Sequence, residues 1–381
     1  MKACVVIPAY ENARTLGEVV AGAKEHGVEV FVVDDGSTDE TAAVLAELDG
    51  ITVCRHEKNR GKGVALRTGF RRALAAGCTH AVTVDADGQH PSAEIPRLLE
   101  AAKDEPRALV LGNRDLDAAG AGLGSRIGRR NSNFWTWVET GHRLPDTQSG
   151  LRCYPLAEID RLYLKTKRYE FEIEVLVKAA WIELPIVSVP CTVLYPEDRV
   201  SHLRPIIDFC RIGLLNTHLV FLRFCLPAPF LHILALRRFH EMPRRKRLRE
   251  AVAEIFVREP GSTERVALSA GLGFFIGLAP IWGFQIAATL LAAHWTGLSK
   301  SVAVVAAHIS FPVLVPAIIY GSLVLGRFVL GQRTDGIAST DIAAADVPAW
   351  ILGSFLLATA AAVVGTVLVY LVVAGARRLR K

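Results

Sequence analysis

The sequence predicts an α/β head, built as a doubly wound and mainly parallel sheet, followed by interfacial helices and an all-α transmembrane domain. Three observations predict it. Within residues 1–210, short apolar runs alternate with charged stretches of helical period. Beyond them, Val266 to Gly326 carries Lys300 as its sole formal charge, and Val347 to Ala376 carries none. A bilayer crossing needs about 20 apolar residues, and both stretches exceed that. Basic clusters flank this apolar half: Arg237 and Arg238, PRRKRLRE at 243–250, and ARRLRK at the end. The 51% hydrophobic content and mean hydropathy of +0.30 therefore reflect one half of a chain of 381 residues.

The elements of the head follow in order. Residues 3–7 form a short apolar strand, and 13–26 place Leu16, Val19, Val20 and Ala23 on one helical face. A strand at 29–33 leads to Ser37-Thr-Asp-Glu40, a capping-box pattern that would open a helix to about residue 48. A strand at 51–55, a helix at 63–76 and a strand at 80–85 come next, then a helix near 92–103 and a strand at 108–112. This βαβ order implies a parallel sheet, in which ligands sit outside the carboxyl ends of the strands. Asp34, Asp35, Asp85 and Asp87 all fall at such ends.

Several function classes are excluded. The first strand–helix turn, PAYENART, lacks the glycines of a dinucleotide fingerprint, and NRGKGVAL lacks phosphate-loop spacing. The Gly-rich run at 118–125 comes too late in the fold for either. A net charge of +6 could suggest nucleic acid, but the basic residues cluster beside the apolar half. Such clusters suit anionic membrane lipid and mark cytoplasmic flanks, so no nucleic-acid partner is expected. Seven cysteines without CxxC spacing, and MKACVVIPAY entering a strand at once, point to a cytosolic head.

VDADGQHP at 84–91 carries the chemistry. On an extended backbone Asp85 and Asp87 point the same way, and Gln89 adds a neutral oxygen. Two crowded carboxylates repel unless something positive lies between them. An all-oxygen set of this kind suits Mg²⁺ or Mn²⁺, completed by water and substrate phosphate. The alternative is an Asx turn leading into the helix at Ser92.

Four motifs lie on successive strand ends: PAYEN at 8–12, VVDDGSTDE at 32–40, NRGKG at 59–63 and VDADGQHP. In this order they resemble the family 2 glycosyltransferases of GT-A type, and most closely the dolichol- and polyprenyl-phosphate mannosyl and glucosyl transferases. The resemblance covers roughly residues 1–210. It implies that Pro8, Tyr10, Glu11, Asp34, Asp35, Lys62 and Asp85 bind a nucleotide sugar, GDP- or UDP-linked. It implies that Asp85, Asp87 and Gln89 hold the metal, Asp87 being catalytic. Glu11-Asn12 departs from the Asn-Glu more usual in the family. Downstream, Arg114 follows a Gly-x-Arg pattern, Arg129 and Arg130 lie in SRIGRRN, and Arg199 precedes Ser201. By the same resemblance Arg114 and Arg199 are catalytic, and Arg129, Arg130, Ser149 and Ser201 receive the acceptor phosphate. DTQSGLRCY at 146–154 resembles the family's acceptor segment. Glu170, Glu172 and Glu174 in the following helix offer a base, although a charged outer face is the expected reading. The QxxRW string of processive synthases is absent.

The apolar half resembles a bacterial membrane domain of unknown function, number 2062, on FFIGLAPIWGFQ and HISFPVLVPAIIYG. The expected division is a catalytic domain at 1–204, interfacial helices and a basic linker at 205–262, and a transmembrane domain at 263–381. The last would comprise a hairpin at 266–296 and spans near 301–330 and 349–375. A cytoplasmic ARRLRK then places 334–346 outside and the head inside, a multi-pass arrangement in the inner membrane. The expected activity is metal-dependent, inverting transfer of one sugar to polyprenyl phosphate. The alternative is a non-catalytic nucleotide-sensing head on a transporter or scaffold for lipid-linked sugars.

Overall fold

The computed structural model describes residues 1–116, 120–194, 205–226, 228–281, 284–308, 315–334 and 346–379. The chain divides into two units: Met1–Phe224 with Leu234–Glu241, and Cys225–Ile233 with Met242–Lys381. In the first, seven strands form one sheet: β1 (Ala3–Ala9), β2 (Glu29–Asp34), β3 (Thr52–Arg55), β4 (His80–Thr83), β5 (Leu109–Arg114), β6 (Arg152–Pro155) and β7 (Ile186–Cys191). Their order is β3-β2-β1-β4-β6-β5-β7. Only β6 runs against its neighbours; the other pairings are parallel. The expected mainly parallel α/β sheet is present, with one reversed strand, β6, in its interior.

Helices cover both faces. On one, α1 (Ala13–Lys24), α2 (Thr41–Ala46) and α4 (Ile95–Asp104) bury Leu16, Val20, Leu45, Ile95 and Leu98 against Val5, Ile7, Val32 and Val82. On the other lies α3 (Lys62–Ala75), whose Gly69 sits so close to Val6 that a methyl group there would overlap its side chain. Further helices of the head are α5 (Leu123–Thr140), α6 (Leu156–Asp160), α7 (Glu170–Trp181) and α8 (Pro205–Cys225).

Three local expectations are corrected. No capping box opens α2: Ser37 Oγ instead accepts from the Glu11 amide at 3.0 Å, and Asp39 Oδ1 accepts from the Thr41 amide at 3.1 Å. A long-range partner has taken the hydroxyl that a local cap would use. Strand β4 ends at Thr83 rather than at Asp85, and Gly88, with φ 74°, turns the chain sharply. The extended-strand argument for aligning Asp85 with Asp87 therefore does not hold. Finally, α7 has no charged outer face, because all twelve of its residues are buried.

In the second unit every described element is helical: α9 (Ala228–Ala235), α11 (Arg244–Val252), α12 (Thr263–Leu278), α13 (Gln285–Trp295), α14 (Lys300–Ala307), α15 (Val315–Val329) and α16 (Val347–Arg378). The short helix α10 (Arg237–Glu241) belongs to the head. Among the described residues one helix, α16, is long and apolar enough to cross a membrane. The stretch expected as one span at 301–330 contains two helices, α14 and α15, and 309–314 lie outside the described residues. The stretch expected as a hairpin, 266–296, holds α12 and α13, with 282–283 outside the described residues.

Helices α15 and α16 approach through Gly326 and Gly353. A Cβ on either would overlap a carbonyl oxygen of the facing helix, Ala349 or Ser322. Small residues of this kind let helix backbones meet where hydrophobic exclusion gives no drive. Gly353→Ala is expected to destabilise the second unit by about 1–3 kcal/mol, the range for overpacking. Thermal melts of the detergent-solubilised chain would read this, with Gly375→Ala as control because its position is open. Equal melting of both variants would refute the close approach.

Candidate active site

The site forms where β6, α7 and the loop after β4 meet α3. Arg152, the first residue of β6, is fully buried and holds this junction. Its guanidinium donates to three carbonyls: Nε to Ser149 and Nη2 to Thr147, both at 2.8 Å, and Nη1 to Glu172 at 2.8 Å. Thr83 Oγ1 donates to the Gly150 carbonyl at 2.7 Å, tying the 146–150 loop to β4. At Gly150 an added Cβ would overlap Asp85 Oδ2 and lie 3.1 Å from Lys62 Nζ, so only glycine leaves room for the charged cluster beneath.

That cluster answers what neutralises the first carboxylate. Lys62 Nζ lies 2.7 Å from Asp85 Oδ1 and 3.1 Å from Glu172 Oε1. Two carboxylates share one ammonium. Burial opposes charge on Lys62, yet Asp85 and Glu172 outweigh it and raise its pKa. Burial likewise opposes ionisation of Asp85, and the Lys62 ammonium overcomes it, holding the carboxyl below its usual range. His90 nearby is pushed down to about 4 by burial, so its imidazole is neutral at pH 7.

Asp87 lies across the turn. Its Oδ2 accepts from Gln89 Nε2 at 2.7 Å and its Oδ1 from the Gln89 amide at 3.1 Å. Thr15 Oγ1, from α1, pins the turn through the Ala86 carbonyl at 2.6 Å. Asp87 and Gln89 are thus neighbours, with the Gln89 side-chain nitrogen facing the carboxylate. Among the described residues no three His, Cys, Asp or Glu side chains gather to hold a metal alone. The donors present fit an Mg²⁺ or Mn²⁺ ion that keeps water and phosphate in its shell, since such ions use one or two carboxylates from the protein.

The other acids are placed differently. Asp35 accepts from His56 Nδ1 at 2.6 Å and from the Arg60 and Gly61 amides at 3.0 and 2.6 Å, so its carboxylate shapes the NRGKG loop. Asp34 accepts from the Ser37 amide at 2.9 Å and pairs with Arg55 at 3.2 Å. Glu11 adopts a left-handed φ of 52°, held by Ser37 through its amide and by Thr38 through its carboxylate. Non-glycine residues there are uncommon and cluster at functional sites. Pro8 and Tyr10 precede it at the carboxyl end of β1.

Arg114 closes β5 and forms a forked pair with Asp146, at 2.6 and 3.0 Å. Asp146 is fully buried, so this pair clamps the 146–150 loop. Arg129 Nη1 donates to the Arg114 carbonyl at 2.9 Å, and Arg130 is exposed one position on. Ser149 is fully buried, with its hydroxyl unpartnered in the described structure. Arg199 and Ser201 lie outside the described residues. Glu174, expected outside, is buried and accepts from Thr166 and Lys178. Glu172, expected on a charged outer face, and Arg152, inside the DTQSGLRCY segment, are both brought to the Lys62 cluster.

On α5, Glu139 is fully buried, both carboxylate oxygens lack a partner in the described structure, and burial pushes its pKa up to about 8. Folded Glu139 therefore keeps a proton that the unfolded chain releases near 4.5. Its contribution to stability is full below that value and is lost as pH rises through about 8. Glu139→Gln should flatten the decline in melting temperature between about pH 4.5 and 8; an unchanged slope would count against it.

A parallel-dominated sheet with carboxylates, their lysine and a clamped loop at its strand ends defines an enzyme site for a charged ligand. Over residues 4–156 the chain matches the model of Glycosyl transferase family 2, and over 246–381 that of DUF2062, an uncharacterized protein conserved in bacteria. It is 30% identical over 219 residues to a UDP-N-acetylglucosamine–dolichyl-phosphate N-acetylglucosaminyltransferase of Methanococcus voltae, covering 52% of this chain and 87% of that protein. It is 31% identical over 215 residues to a polyprenol monophosphomannose synthase of Mycolicibacterium smegmatis, covering 52% and 80%. A glucosyl-3-phosphoglycerate synthase of Mycobacterium tuberculosis, solved with Mn²⁺, UDP and glucosyl-3-phosphoglycerate, matches at TM-score 0.44 and 21% identity, covering 59% and 81%. The chain belongs to glycosyltransferase family 2 and is a glycosyltransferase, with a C-terminal DUF2062 domain.

Proposed function

We propose that the protein moves one sugar from a nucleotide sugar to polyprenyl phosphate at a membrane, in a single inverting displacement. The observation that carries this reading is the Asp85–Lys62–Glu172 cluster packed against the clamped 146–150 loop. It gives the donor diphosphate a charged floor and sets the acceptor segment directly above it. An acceptor phosphate oxygen attacks the anomeric carbon as the bond to the nucleotide diphosphate breaks, and the nucleoside diphosphate departs with the bonding pair. The attacking group is already an anion, so the chain need supply no strong base. Consistent with this, Glu174 is committed to Lys178 and Thr166 rather than aimed at a cleft. A divalent ion held by Asp85, Asp87 and Gln89 would neutralise the charge growing on the leaving diphosphate.

Pro8, Tyr10, Glu11, Asp34 and Asp35 form the nucleotide end, the last two chiefly by shaping the surrounding loops. Arg129 and Arg130 take the acceptor phosphate beside Ser149, and Arg199 with Ser201 completes that set. Arg114 positions the loop through Asp146. Membrane attachment rests on α16 and on apolar side chains exposed by the head, Phe134 and Trp137 on α5 and Phe209, Leu214 and Phe221 on α8. Helices that expose rings and aliphatic groups while carrying charges suit the headgroup boundary. With the basic clusters as cytoplasmic flanks, the domain at 263–381 is multi-pass in the inner membrane and the head faces the cytoplasm.

Membranes containing the protein, incubated with Mg²⁺ or Mn²⁺, polyprenyl phosphate and radiolabelled UDP- or GDP-sugars, should transfer label into the chloroform-extractable fraction with one of the donors. Label that stays water-soluble with every donor, under conditions where the nucleotide binds, would overturn the acceptor assignment.

A further inference from the structure

We propose that the head carries a second ligand site, a cationic cavity for a small phosphate-bearing anion, remote from the transfer site. The cavity has a volume of about 310 Å³, within the usual range for small-molecule sites. Its position follows from the reversed strand. Pro155, the last residue of β6, lies opposite His80, the first of β4, so α6 begins at the amino edge of the sheet. Helix α3 runs back to the same edge and contributes Arg67, Phe70 and Arg71; the returning chain contributes Arg237 and His240 from α10. None of the acids or arginines assigned to transfer lines it.

Three guanidiniums face this space. Arg237 pairs with Asp160 at 2.9 Å, and Arg67 spends one nitrogen on the Leu164 carbonyl at 2.7 Å. Arg71 has no ion-pair partner among the described residues. The carboxylates on the lining are Asp160, already matched by Arg237, and the exposed Glu241. Burial lowers the pKa of Arg67; Glu174 opposes this, while Arg71, Arg60 and Arg237 add to the lowering. A bound anion would relieve that crowding. One wall is aromatic: Tyr163 and His240 stack with centroids 3.6 Å apart and planes inclined 14°. Lys165 and Lys178 lie 5.1 and 5.5 Å from the Tyr163 ring centre, the Lys178 charge being matched by Glu174 at 2.6 Å. Arginines matched to phosphate oxygens beside a flat wall recognise a phosphate ester or diphosphate better than a carboxylate alone. Such a phosphate can come from a soluble ester or from a lipid headgroup.

The test titrates inorganic pyrophosphate into the full chain in neutral detergent, with EDTA present, by calorimetry. Binding is expected in the native protein and in Asp87→Ala, and weakened roughly tenfold or more in Arg71→Gln, as loss of a charged hydrogen bond implies. Arg71 is exposed, so that variant keeps its fold, checked by an unchanged melting temperature. A parallel titration with dihexanoyl phosphatidate separates the sources: tighter binding than pyrophosphate assigns a lipid headgroup, weaker binding a soluble ester. Absence of binding by both probes, equal affinity in Arg71→Gln, or loss confined to Asp87→Ala would each overturn the proposal.

Discussion

Asp87→Ala should reduce lipid-extractable product by more than the roughly 10–100-fold that loss of an outer-shell partner costs a metal site. Asp87 is half-buried and lies on the loop after β4, outside the hydrophobic core, so the fold should survive. The assay pairs initial rates with a melting curve and a Mn²⁺ titration. Asp87→Asn, which keeps the Gln89 contact in shape but loses the charge, should recover part of the rate at raised Mn²⁺. Native rates in Asp87→Ala would sink the metal assignment, whatever the remaining acids do.

Arg114→Ala should cost stability first and activity second. Its partner Asp146 is fully buried, and breaking such a pair by removing one member typically costs about 3–5 kcal/mol. In a head of this size that lowers the melting temperature by roughly 6–20 °C. Arg114→Met with Asp146→Leu removes both charges together and should restore most of that loss. If Arg114 acts by clamping the loop, part of the transfer rate returns with the fold. A double variant that melts like the native chain but is wholly inactive would show that the guanidinium touches substrate.

Much of the head was legible in the chain. The strands of the head announce themselves as short continuous apolar runs and its helices through a period of 3.6, and these are local properties. PAYEN, VVDDGSTDE and VDADGQHP fall at the carboxyl ends of β1, β2 and β4, and NRGKG leads into α3. Family membership was legible for the same reason, since the motifs are short and contiguous. The errors have one cause. Ser37 reads as a helix cap until Glu11, 26 residues earlier, claims its hydroxyl. Glu170, Glu172 and Glu174 read as a wet face until α7 is packed on every side.

By itself, then, the sequence determined an alternating α/β head, acids at its strand ends, a basic and apolar second half, and the family. Only the tertiary structure decided which cation meets which acid. Lys62 reaches Asp85 and Glu172, residues 23 and 110 positions away, because the reversed β6, between β4 and β5, carries Arg152 to the Glu172 carbonyl on α7. Electrostatic pairing acts through space and weakens with the distance between the charges. Spacing along the chain does not encode it; packing does.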